Sequence, residues 1–250
     1  LAQPRLSTLG CKENEWKNEA YSYLSEEYSS VINAYDQKQK EWFDLKKLSP
    51  DYVIYARPYC PEYYDLYRPE KVREYSKVCF TSYGYDMTDD KITSNIYGGD
   101  FLRYCSIVFA PSRTIARMLE EKYTYEVKKG YLKVADLGFA RFDLLSDRNT
   151  GMRNNERIKI LWTPRWTSED DLNHMKSNFL KFKDKFIAFI DGHADYELVI
   201  RPHPLMFANY IQKGIMSEEE VQYLLENCSR QERIRFDFEK DYLKEVKTTD

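Results

Sequence analysis

Histidine is nearly missing from this chain: there are 3 in 250 residues, none of them before His174. Imidazole chemistry is therefore confined to His174, His193 and His203. Glycine and proline number only 9 each, which excludes collagenous and low-complexity classes. A basic surplus is also lacking, since 38 Lys and Arg stand against 41 Asp and Glu for a net charge of -3. That balance argues against a nucleic-acid footprint but leaves room for a local basic cleft. No apolar run approaches the ~18 residues of a membrane span, and no signal peptide opens the chain. Neither G-x-G-x-x-G nor a Walker loop occurs, so dinucleotide and P-loop readings fail. No G-x-S-x-G elbow supports a hydrolase.

The cysteines, Cys11, Cys60, Cys79, Cys105 and Cys228, are odd in number and have no C-x-x-C pair. They are expected to be free thiols of a reducing compartment. His174 and His193 lie too far from any Cys or carboxylate pattern for zinc, and His193 reads as a turn residue. The pairs Asp89-Asp90 and Asp170-Asp171 read as helix caps. No metal and no cofactor is expected. The chain opens on Leu1 rather than Met, so a piece of a longer cytosolic protein is expected.

What is present is globular: 42% apolar and 32% charged residues, with a length suited to two domains. The 22 tyrosines suggest nothing beyond packing and edge contacts. Residues 1 to about 50 carry apolar residues at helical spacing, from Trp16 to Leu45, and predict a helix over a sheet. Short strands follow at 51–56, 78–80, 105–110 and 133–137, with Pro111-Ser112 capping a helix. The Asn- and charge-rich stretch 146–156 marks a domain boundary, placed between 148 and 149. Beyond it come a strand at 158–162 and a helix at 171–190 with Phe179, Phe182, Phe186 and Phe189 on one face. A strand at 198–200, a helix opened by the capping box Ser217/Glu220, a weak strand at 234–236 and a last helix complete the order. Alternation of this kind means α/β, with parallel sheets covered on both faces.

Three breaks follow strands and carry chemistry: Tyr83-Gly84-Tyr85-Asp86, Thr163-Pro164-Arg165-Trp166-Thr167, and Arg201-Pro202-His203-Pro204. Open α/β sheets bind ligands at such carboxyl ends. Pro202 and Pro204 stiffen the loop that presents Arg201 and His203. A guanidinium can fork onto two phosphate oxygens, and an imidazole can donate or accept a proton. Arg165 and Arg201 are expected to hold a diphosphate, with Thr163 or Thr167 hydrogen-bonded to it. Trp166 either flanks a base or shelves the loop.

The stretches ILWTPRWTS (160–168) and VIRPHPLMF (199–207) resemble the CDP-glycerol:poly(glycerophosphate) glycerophosphotransferases, the teichoic-acid and capsule polymerases. Arg57-Pro58-Tyr59, Tyr83-Gly84-Tyr85 and the run from Gly138 to Asp143 are similar in the same order, from about residue 48 onward. The resemblance implies a GT-B fold of two Rossmann-like domains facing a cleft, 1–148 on the acceptor side and 149–250 holding the donor. It implies transfer of glycerol or ribitol phosphate from a CDP-polyol donor to a polymer or lipid-linked acceptor, with His203 on the donor phosphate. The protein is expected in the cytoplasm, either free or peripheral on the inner face of the cell membrane through segments outside this chain. Two departures matter. The family places a second His before a Gly in the first domain, where this chain has Ser82-Tyr83-Gly84; Asp86 is the nearest candidate base, and its carboxyl would need a raised pKa. The family also continues into an Asp-x-Ser-Ser loop that grips phosphate, expected just past Asp250, so residues 1–250 alone are expected to show no transferase activity and to bind cytidine nucleotides weakly. A GT-B glycosyltransferase using a nucleotide sugar and a non-catalytic binding relative remain the alternatives.

Overall fold

A computed structural model describes residues 1–2, 18–60, 63–85, 96–146, 157–168, 176–239 and 242–248. The chain divides into two compact units, Leu1–Ala140 and Arg141–Asp250. Each is built on a parallel sheet, an α/β architecture compatible with Rossmann-like folds. The division falls earlier than 148/149, where the short helix Asp143–Ser146 packs with the last helix, Leu243–Thr248. There the Arg141 guanidinium lies 5.8 Å from the Tyr242 ring centroid.

The first unit opens differently from the long helix that its spacing predicts. A helix at Glu19–Glu27 is followed by a two-stranded antiparallel hairpin, β1 (Tyr35–Asp36) and β2 (Glu41–Trp42). The Asp36 carboxylate accepts the backbone N–H groups of Lys38 (2.8 Å) and Gln39 (3.1 Å), and Lys40 takes a positive φ of 56°. This local side-chain bonding turns the chain where a helix would have continued. Tyr35 and Trp42 then pair directly across the strands, with ring centroids 4.9 Å apart.

β3 (Tyr52–Tyr55), β4 (Lys77–Thr81), β5 (Ile107–Ala110) and β6 (Lys133–Asp136) form a sheet in sequence order. Register places Tyr55, Phe80, Val108 and Val134 side by side on one face. On that face they meet Val72, Phe101, Leu102, Ile115 and Leu119 in a single core. The helix Arg113–Lys122 contributes the last two residues, and the Ser112 hydroxyl caps it by accepting from Ile115 N–H at 3.3 Å. The other face is less covered than expected: among the described residues, Tyr52 and Ile54 stay open there, Ile54 at 62% exposure.

In the second unit β7 (Ile158–Trp162), β8 (Tyr196–Ile200) and β9 (Ile234–Phe236) run parallel. Ile160, Leu198 and Ile234 share a face with Trp162, Ile200 and Phe236. Three helices, Phe179–Gly192, Met206–Gln212 and Glu218–Ser229, close over it. Phe179 and Phe186 enter this core, whereas Phe189 is 37% exposed and stacks on His193 at 4.2 Å. The single aromatic face expected for that helix is thus divided. The capping box forms: Glu220 N–H reaches the Ser217 hydroxyl at 3.1 Å, and Ser217 N–H reaches the Glu220 carboxylate at 2.7 Å. Among the described residues no helix is long and apolar enough to cross a membrane.

Cys60, Cys79, Cys105 and Cys228 are free thiols, and burial raises the pKa of each. Cys11 lies outside the described residues. A thiol held protonated in this way is inert, which suits a packing role.

Candidate functional site at the carboxyl edge of the second sheet

The strand ends of the second unit are tied together by their own backbone. Arg201 N–H donates to Trp162 O (2.8 Å), His203 N–H to Pro164 O (3.1 Å) and Asp237 N–H to Ile200 O (2.8 Å). Pro164 and Pro202 are buried, which turns the side chains between them outward. Two further contacts brace the loop after β7: Asn209 Nδ2 donates to Trp166 O (3.2 Å) and Lys213 Nζ to the Ser168 hydroxyl (3.0 Å). Thr167 and Ser168 are buried in this brace, while Thr163, Arg165 and Trp166 remain exposed.

His203 stands among them. Its Nδ1 accepts from Leu205 N–H at 3.2 Å, so the neutral ring carries its proton on Nε2. Trp166 lies beside it, ring centroids 6.3 Å apart. The side chain is exposed, yet nearby protein lowers its pKa by desolvation, and the Arg165 charge lowers it further. At neutral pH the ring is an uncharged N–H donor next to a guanidinium. An incoming phosphate would reverse the second effect and favour the imidazolium.

Arg201 sits differently from the phosphate fork that sequence spacing suggests. Its guanidinium donates to the Asp237 carboxylate through one nitrogen and to the Glu239 carbonyl through another. Asp237 is 3% exposed, and its other oxygen accepts from Glu239 N–H at 3.0 Å. The pair clamps the end of β8 to the end of β9. Asp237 escaped sequence reasoning, although its place one residue beyond β9 matches that of Arg201 beyond β8.

Tyr83 and Gly84 belong to the first unit, at the end of β4. Tyr83 N–H donates to Ala56 O (3.1 Å), and the Ser82 hydroxyl donates to Gly84 O (2.7 Å). The Tyr59 and Tyr83 hydroxyls are 3.5 Å apart, and Tyr85 lies 5.7 Å from Phe139, ring to ring. Asp86, His174 and the pairs Asp89-Asp90 and Asp170-Asp171 lie outside the described residues. His193 ends its helix, with Nδ1 2.7 Å from Phe189 O. Among the described residues no group of three or more His, Cys, Asp or Glu is placed to hold a metal. Compared with known proteins, the chain matches no family model and no curated sequence.

Proposed function

We propose that the two units are the Rossmann-like domains of a GT-B transferase that moves glycerol or ribitol phosphate from a CDP-polyol to a growing cell-surface polymer. The observation that carries this reading is the Arg165–Trp166–His203 group, held outward at the carboxyl edge of a parallel sheet by two buried prolines. Arg165 neutralises the diphosphate, and the His203 Nε2–H donates to an oxygen of the leaving phosphate. The acceptor hydroxyl oxygen attacks the phosphorus bearing the polyol, the bond to the bridging oxygen breaks, and CMP departs. The acceptor proton goes to a base, the role assigned to Asp86. Arg201 is a positioning residue that sets the His203 loop through Asp237.

The test is release of CMP from CDP-glycerol or CDP-ribitol by a chain extended past Asp250, wild type beside His203→Ala. The variant should turn over about 10²–10³ more slowly, the loss typical of one removed charge-stabilising donor, with an unchanged melt. Equal rates would overturn the assignment. Turnover of a nucleotide sugar instead would move the protein to the glycosyltransferases.

A further inference from the structure

The opposite end of the first sheet carries a feature that the transfer reaction does not use. A groove of about 560 Å³ opens at the amino edge, where β3 and β4 begin. Lys46, Arg73 and Lys77 line it, with Asp51 as the one carboxylate on its wall. Three cations against one anion is a local reversal of a chain whose net charge is -3. They arrive from separate segments: the 3-10 turn Leu45–Leu48, the end of the helix Pro69–Val72, and the first residue of β4.

Each cation is also held over an aromatic ring. Lys46 Nζ is 5.3 Å from the Tyr75 centroid, Lys77 Nζ is 5.3 Å from that of Tyr52, and the Arg73 guanidinium is 5.6 Å from that of Tyr104. Such contacts restrict long side chains and reduce the entropy that an incoming anion must otherwise overcome. Between them Ser49 adopts a left-handed backbone (φ 45°, ψ 50°) that a residue with a Cβ rarely takes.

We propose that this groove binds a phosphate-bearing ligand, its phosphate met by Lys46, Arg73 and Lys77. The groove is open to solvent, so what it recognises is the phosphate group itself, carried by an ester or a diphosphate. A soluble phosphorylated metabolite and an anionic lipid headgroup share this chemistry, and the test separates them.

The 250-residue chain is titrated calorimetrically with pyrophosphate at low salt, and in parallel sedimented with phosphatidylcholine vesicles with or without phosphatidylglycerol. Saturable pyrophosphate binding is expected, weakened about tenfold by each of Lys46→Gln, Arg73→Gln and Lys77→Gln. Lys129→Gln, outside the groove lining, should change nothing. Cosedimentation that needs phosphatidylglycerol and is lost in the same variants assigns the groove to a lipid headgroup; binding without cosedimentation assigns it to a soluble ester. Absence of both overturns the proposal, and so does binding that the groove variants leave unchanged. His203→Ala is carried alongside, since a loss in that variant alone would place the anion at the second sheet.

Discussion

The loops that end β3, β4 and β6 carry aromatic side chains, among them Tyr59, Tyr83, Tyr85 and Phe139, whereas those that end β7 and β8 carry Arg165, Trp166 and His203. Both sheets are parallel, and both present these loops at the same topological edge. Their cohesion differs. In the first unit the edge is held by backbone bonds, by the Tyr63 hydroxyl donating to Arg57 O (2.7 Å), by the Ser82 hydroxyl donating to Gly84 O (2.7 Å) and by the exposed Tyr59–Tyr83 pair. In the second it is held by a desolvated ion pair between Arg201 and Asp237. The same architecture thus gives an edge joined by tyrosine and serine hydroxyls in one unit and one clamped by an ion pair in the other.

The sharpest way to break that contrast is to cut the clamp. Asp237→Ala leaves a largely buried guanidinium unpaired and should cost about 3–5 kcal/mol, because the desolvation of Arg201 is no longer offset. Its melting curve should shift far below wild type; an unmoved melt would mean the pair contributes nothing. The helix caps give a middle-sized comparison. Ser217→Ala removes a reciprocal box and Ser112→Ala a single bond. Each should cost about 1 kcal/mol, the first more than the second, as read by chemical denaturation. Tyr83→Phe in the first unit should cost about 0.5 kcal/mol or less, since the hydroxyl contact is long and exposed. A loss as large as that of Asp237→Ala would erase the difference between the two edges.

The smallest effect concerns pH. Desolvation, then Arg165, lowers the His203 pKa, so below the ordinary ~6.5 the unfolded chain binds this proton more readily than the folded one. Stability should therefore decline slightly as pH falls from about 7 towards the lowered folded value, and then level off. His203→Asn should flatten that slope in urea titrations at several pH values. A steeper slope in the variant would reverse the sign.

Much of the second sheet was legible in the sequence, because Ile160, Leu198 and Ile200 stand in short apolar runs ended by Pro164 and Pro202. The outward display of Arg165 and His203 was legible for the same reason. The β1–β2 hairpin was not: Tyr35 and Trp42 also fit a helical repeat, and only the Asp36 side-chain bonds decide against it. The Arg201–Asp237 clamp joins residues 36 apart, and it appears only once Ile200 is set beside Phe236. The basic groove draws Lys46, Arg73 and Lys77 from three segments, so no local pattern announces it.

The central claim is that His203 and Arg165 form the phosphate-binding edge, and the most direct measurement is an NMR titration of the His203 ring with and without saturating CDP. A bound diphosphate sets negative charge against Arg165 and the imidazole, so the lowered His203 pKa should rise on binding. An unchanged His203 titration under conditions where CDP is bound would contradict it.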